Sequence, residues 1–444
     1  MTAKYDYDLV VIGAGSGGLS AARTAREMGK RVAIAEKSRV GGTCVNRGCI
    51  PTKLMIYAAE LAKSYKIAGD YGWKHGDHLF NWQTFRQSMD SHVKSVRKSQ
   101  VEGLENIDLL RGQAKFIDKH TLTVDNRQIS AEFVLVAVGA KPKMPDIPGI
   151  EYALDSRDVF SLEDLPKSWI VVGGGYIGVE LAQVFRYYGC EVIVVDSKPH
   201  VLDGFDGQVQ ERVRQILEDD GIKVVDEARL EEIEKIDNGF KVTLNNGTTE
   251  SASQVLCALG RSANIEDLNL DAAGIATSKG KIVVNDHKQT EVQSVYAVGD
   301  CTDTIMLTPV AIAEGESAVK TMFGQPTKVD YRWVASAVFM HPEVAMVGPT
   351  EAEIREQDID FEQYCSTFTP LKYGMAKSDS MEAFIKVLVD PKSQEIISMH
   401  LVAPRSADMI QMIVPALKKG LTLAELKDTI SVHPSTGEEL FCIA

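Results

Sequence analysis

The sequence predicts an α/β protein in which one doubly wound, parallel-sheet unit is used twice, ahead of a C-terminal α+β segment. Three observations predict it. An apolar strand runs into a glycine turn, a helix and a second apolar strand ending in an acid, first at Leu9–Glu36 and again at Trp169–Asp196. Further apolar runs at Phe133–Val138 and Val295–Val298 read as additional buried strands. Beyond residue 331 the pattern changes, with helical spacing near Asp408–Leu417 and Leu423–Lys427.

The composition is that of a globular chain. It has 444 residues, 44% hydrophobic and 25% charged, enough for two to four domains with cores that need no staple. The formal net charge of −14 argues against nucleic acid or an anionic membrane as main partner, since both need a basic footprint. Met1 to Asp8 is polar and the apolar run at Leu9–Ile12 is short, so no signal peptide is expected. No segment approaches the roughly 20 apolar residues of a membrane span. The expected location is the cytoplasm. Cys442, third from the end, falls one residue short of a prenylation box.

Each part of the repeated pattern has a physical task. In Gly13-Ala14-Gly15-Ser16-Gly17-Gly18, Gly13 permits the tight turn and Gly15 lets backbone approach a pyrophosphate. Gly18 lets helix and strand meet closely, and the helix start offers free N–H groups. Glu36 stands where a carboxylate reaches ribose hydroxyls. Gly173, Gly175 and Gly178 repeat the turn, and Asp196 repeats the acid; both acids lie 18 residues after the third glycine. Two such Rossmann-like units imply two bound dinucleotides. The strands leading to Gly139 and to Asp300 are structural strand ends when taken alone, and support the sites when taken with both fingerprints. Asp196 favours the free 2′-hydroxyl of NADH over the 2′-phosphate of NADPH, and no Arg occurs in the following Ser197–Asp203, although Lys198 could receive a phosphate.

The seven cysteines are odd in number and scattered, unlike a secreted disulfide framework. Only Cys44 and Cys49 are close, within Gly41–Lys53. A helix starting near Pro51 would stabilise a Cys49 thiolate. A redox pair is the expected reading. The alternatives are two buried thiols or half a zinc site, and no further Cys or His stands at metal spacing nearby. Near the C-terminus, His433 with Glu438 could shuttle a proton. His341-Pro342-Glu343 is read as structural.

These motifs, in this order and over essentially the whole chain, resemble the FAD-dependent pyridine nucleotide–disulfide oxidoreductases. Leu307–Ala311, Phe323–Lys328, Thr367–Leu371 and Ser431–Glu439 resemble the glutathione reductases most. Ile50–Lys53 is nearer the lipoamide and mycothione reductases. The resemblance implies that Ser16, Gly17, Glu36, Thr43, Ala114, Gly139, Asp300 and Thr308 hold FAD. It puts Lys53, paired with Glu180, beside the flavin, and Tyr176, Gly260 and Arg261 at the nicotinamide nucleotide. Cys49 would be the flavin-facing thiol and Cys44 the interchange thiol. His433, oriented by Glu438, would serve the opposite subunit of a homodimer. Arg23 and Ser16 would touch substrate. Glu316 and Lys98 depart from residues that contact glutathione in such enzymes. The expected activity is reduction of a low-molecular-weight disulfide such as oxidised glutathione, serving cell redox homeostasis. The alternative is dihydrolipoamide dehydrogenase or a reductase of another small disulfide. The expected domains are an FAD domain at 1–145, an NAD(P) domain at 146–264, a second FAD-side segment at 265–331 and an interface domain at 332–444.

Overall fold

Leu9, Val10 and Val11 are fully buried, and the strand that holds them, Tyr7–Ile12, lies mid-sheet. Burying each such side chain contributes about 1.5–3 kcal/mol, so an uninterrupted apolar run marks a strand covered on both faces. In the computed structural model, residues 4–74, 76, 79–377 and 379–443 are described. The chain divides into two compact units: Met1–Thr52 with Gln83–Lys143 and Gly260–Asp330, and Lys53–Trp82 with Met144–Leu259 and Tyr331–Ala444.

In the first unit Tyr7–Ile12 pairs in parallel with Val32–Glu36 on one side, Leu9 opposite Val32, and with Arg127–Val136 on the other, Leu9 opposite Phe133. Val32–Glu36 continues to Asp108–Arg111, and Arg127–Val136 to Val295–Ala297. The chain order therefore reverses at Tyr7–Ile12. The carboxyl end of such a switch-point strand opens into a crevice, the usual ligand position in open α/β sheets. Helix Ser16–Glu27 follows directly.

The second unit repeats the arrangement. Ser168–Val172 is flanked in parallel by Glu191–Val195 and Gln254–Cys257, with Lys223–Val225 and Leu154–Asp155 at the edges. Its C-terminal part is a five-stranded antiparallel sheet in the order Ser336–Val338, Val344–Val347, Ile396–Val402, Ala383–Val389, Glu362–Phe368. Every residue of Ala383–Val389 is buried, and Ile385, Val387 and Leu401 form a core with Ile410, Leu417 and Leu426. The expected helices are Ser406–Leu417 and Leu423–Asp428. The chain is an α/β protein, with two switch-point sheets and this α+β segment.

Candidate active site

The first fingerprint is built by close approach. Gly13 has φ +105°, and a Cβ there would collide with the Ala137 carbonyl. A Cβ on Gly18 would collide with the Gly13 carbonyl, as one on Gly178 would with Gly173. Positions 13, 18 and 178 therefore admit only glycine. Glu36, at the end of the second strand, accepts the Ala14 N–H at 2.8 Å and the Ser38 N–H at 2.7 Å. In the second unit Asp196 accepts the Gly174 N–H, and the Lys198 N–H at 2.8 Å. Each acid is thus tied to the second residue of its glycine turn and to the amide two residues beyond itself.

The thiol segment lies against the first turn. Gly41 N–H bonds the Ala14 carbonyl at 2.8 Å, and Gly42 comes so close to Gly15 that a Cβ would meet its Cα at 2.7 Å. Asn46, buried, bonds the Val40 and Gly42 carbonyls at 3.0 Å, and accepts from Arg97 at 3.3 Å. Cys44 lies in a short helix, Gly42–Arg47, and Cys49 opens the long helix Cys49–Ala68. The helix start expected near Pro51 thus falls at Cys49. The reason is Gly48, whose backbone breaks the short helix and whose carbonyl already accepts the Thr52 N–H at 2.9 Å. Pro51 takes a first-turn position whose N–H would have no partner within the helix.

Cys49 therefore sits at the positive end of a 20-residue helix, and its Sγ is 3.6 Å from Thr308 Oγ1. A hydrogen bond from Cys44 lowers the Cys49 thiol to about 6, with Thr308 and its own N–H helping and burial opposing. Cys44 moves the other way: donating to Cys49 and being buried hold its proton well above the ordinary thiol range. The two shifts run in opposite directions, favouring the proton on Cys44 and the thiolate at Cys49. Thr308 belongs to helix Thr308–Met322. Asp300 lies in the turn Gly299–Cys301, its carboxyl pushed up by burial and drawn down by Arg261 Nε at 3.6 Å. Arg261, expected at the nicotinamide nucleotide, makes these contacts inside the first unit, where it also bonds the Ala140 carbonyl.

Lys53 lies four residues beyond Cys49. Glu180 was its expected partner, yet Lys53 Nζ is 3.0 Å from Glu343 Oε1 and 4.0 Å from the centre of the Phe339 ring. Glu180, buried, accepts the Phe339 N–H at 2.8 Å. In sequence, Glu343 reads as structural beside His341-Pro342. Its other oxygen accepts the Ala407 N–H at 3.2 Å, which aims the first at Lys53. Nothing local in the sequence could show this pairing, since 290 residues separate the two. Tyr176 opens helix Tyr176–Tyr187 and is exposed. His433 Nδ1 is 2.7 Å from Glu438 Oε2, and Glu438 Oε1 accepts the Ser435 N–H at 3.0 Å. The Ser435 amide first, and then His433, hold the Glu438 carboxyl below its ordinary range. Arg23 donates to Gln100 Oε1 at 2.9 Å and to the Gly103 carbonyl at 3.4 Å.

Residues 7–315 match the pyridine nucleotide-disulphide oxidoreductase model, and residues 334–441 match the dimerisation domain of the same enzymes. The chain belongs to this family. Among similar curated proteins are the glutathione reductases of Nostoc sp., 36% identical over 98% of both chains, and of Burkholderia cepacia, 34% over 98% of both. The chloroplastic/mitochondrial enzyme of Pisum sativum is 35% identical over 98% of this chain and 82% of its own. The protein is an FAD-dependent pyridine nucleotide-disulphide oxidoreductase of the glutathione reductase-like kind. The first unit fits the cofactor. Gly15 has extended backbone, and neither it nor Gly139 has an atom within 3.4 Å of where a Cβ would stand, leaving a cradle at the switch point. Among the described residues, no helix is long and apolar enough to cross a membrane.

Proposed function

We propose that this enzyme reduces oxidised glutathione or a closely related small disulfide, drawing electrons from NADH in preference to NADPH. The observation that carries the reading is the thiol pair itself, Cys44 in the short helix Gly42–Arg47 and Cys49 opening the next helix 3.6 Å from Thr308 Oγ1, on the segment that Gly41 ties to the first fingerprint. The likeness to curated glutathione reductases over nearly the whole chain favours glutathione over lipoamide.

FAD, when bound, supplies a two-electron relay between reduced nicotinamide and the thiol pair. Glu36 would hold its ribose, the Gly13–Gly18 turn its pyrophosphate, with Ala114, Gly139, Asp300, Thr43 and Thr308 along the remainder. Gly173–Gly178 and Asp196 would hold the nicotinamide dinucleotide beneath Tyr176. Within the second unit Glu343 holds Lys53 over the Phe339 ring and Glu180 accepts the Phe339 N–H, which fixes the lysine's positive charge in place.

Cys44 gives its proton to His433 and attacks one sulfur of the substrate. The substrate S–S bond breaks, a mixed disulfide forms, and the departing thiolate takes a proton from His433. The Cys49 thiolate then attacks Cys44, forming the Cys44–Cys49 bond and releasing the second thiolate. The His433 side chain is 80% exposed and flanked by exposed Ile430 and Val432, as suits a residue offered to a second copy in a homodimer. Glu438 fixes its Nδ1, leaving Nε2 to carry the proton.

The support for NADH preference is Asp196, the acid that closes the second fingerprint, together with Lys198. The lysine that could receive a 2′-phosphate pairs instead with Asp203 at 3.2 Å. The test is NADH oxidation by the purified holoenzyme with oxidised glutathione, NADPH being run alongside. Turnover with NADH supports both halves of the reading. Turnover with NADPH alone overturns the nicotinamide half. A flavin that NADH reduces, with no turnover of glutathione disulfide, overturns the substrate half.

A further inference from the structure

Glu314 lies in helix Thr308–Met322 with no exposed surface. A carboxylate carried into an interior needs donors for both oxygens. Its Oε2 accepts the Gly299 N–H at 2.7 Å. Its Oε1 accepts the Thr304 hydroxyl at 2.5 Å and lies 3.0 Å from Lys288 Nζ. Lys288 is itself buried, and its φ of +63° puts a non-glycine residue in the left-handed region. Such backbone persists only where surrounding contacts determine it. The Lys288 carbonyl accepts the Ala297 N–H at 3.0 Å.

These contacts converge on one short turn. Gly299–Cys301 carries Asp300, and the chain leading into it is held at Ala297 by Lys288 and at Gly299 by Glu314. Thr302 closes the turn from the far side, its hydroxyl donating to the Gly299 carbonyl at 2.9 Å. The helix bearing Glu314 begins with Thr308, 3.6 Å from Cys49 Sγ. One rigid element thus grips the Asp300 turn and touches the thiol pair. A carboxylate suits this place because it offers two acceptor oxygens to three donors. An amide offers one, and a buried donor would be left unsatisfied. The Glu314 charge also reaches Asp300, whose carboxyl burial pushes up, Arg261 draws down and Glu314 pushes up again.

We propose that Glu314, charge-balanced by Lys288, is a positioning residue of the flavin site: it fixes the Gly299–Cys301 turn so that Asp300 is presented to FAD. The proposal rests on the assignment of FAD to the first unit. Glu314 acts through the backbone of Gly299 and has no exposed surface of its own.

The test compares two double variants, K288M/E314A and K288M/E314Q. Both lack the ion pair and strand no buried cation. They differ in whether an oxygen remains for the Gly299 N–H. FAD affinity is measured by titrating each apoprotein with FAD and following flavin fluorescence, and thermal unfolding of each apoprotein is recorded. The Gln variant is expected to bind FAD about tenfold more tightly than the Ala variant, the net worth of roughly one buried hydrogen bond. If the Ala apoprotein does not hold together, the rate of FAD loss from the two holoenzymes gives the same comparison, faster in the Ala form. Affinities or release rates within twofold of each other, whatever the unfolding temperatures, would overturn the proposal and leave Glu314–Lys288 a purely structural pair. The wild-type titration separates this from the cofactor assignment: if wild-type apoprotein fails to take up FAD, the assignment itself is wrong.

Discussion

Replacing Cys44 by Ala should raise the titration of Cys49, because the hydrogen bond from Cys44 is the largest cause of its low value. A hydrogen bond to a charged acceptor is worth about 1.5–3 kcal/mol, and one pKa unit is about 1.4 kcal/mol. The expected rise is therefore about one to two units. Starting from about 6, Cys49 should then titrate near roughly 7–8. The direction is fixed by charge: the thiolate loses its donor, burial still disfavours it, and only Thr308 and the helix start continue to favour it. At pH 7 the thiolate fraction should fall from about nine-tenths to between about a tenth and a half. The assay is the pH dependence of iodoacetamide alkylation, read at the Cys49 peptide by mass spectrometry. Peptide resolution matters because Cys442 is exposed and Cys365 is half-buried. Reading Cys49 alone keeps their alkylation out of the curve. A midpoint that stays near 6 in Cys44→Ala would refute the shared-proton account and hand the stabilisation to the helix terminus and Thr308.

Three further outcomes are expected. Asp196→Ala should lower the ratio of kcat/KM for NADH to that for NADPH by about tenfold, the worth of one charge-assisted contact; an unchanged ratio places discrimination elsewhere. Gly178→Ala drives a Cβ into the Gly173 carbonyl, so KM for NADH should rise roughly tenfold through overpacking of helix against strand, and an unaltered KM would show that the helix moves freely. His433→Gln should slow disulfide turnover by about 10²–10⁴-fold, the usual range for a general acid, and Glu438→Gln by a smaller factor. Both should leave electron transfer from NADH to an artificial acceptor intact, and a matching loss there would mean the pair does not act at the disulfide step.

Periodicity and spacing made the two fingerprints legible because their physics is local. A strand, a close glycine contact and an acid 18 residues on are all encoded within one supersecondary unit. The helices after Ser406 and Leu423 were legible for the same reason. The start of helix Cys49–Ala68 was not: Pro51 looks like a first residue, but the break lies in the Gly48 backbone, where the short helix through Cys44 must end. The partner of Lys53 was not legible either. Glu343 reaches it only because the strand Val344–Val347 and the helix start at Ala407 position that carboxylate. Arg23 and Arg261 also bond protein carbonyls, contacts that no motif records.

The two dinucleotide turns bind their acids in the same way, so the acid alone cannot decide what each unit does. Glu36 and Asp196 each accept one turn amide and one amide two residues downstream. What differs lies outside this shared frame. In the first unit the Gly13–Gly18 turn is overlaid by Gly41–Asn46, which brings the thiol segment against it; in the second, Leu202 N–H bonds the Gly174 carbonyl at 2.8 Å and the loop carries Lys198 and Asp203. The first turn is thereby joined to the thiol segment and the second to a loop bearing Lys198 and Asp203. A duplicated frame has become two sites through the segments laid over it. Exchanging those segments, and not the acids, is what should exchange the roles of the units.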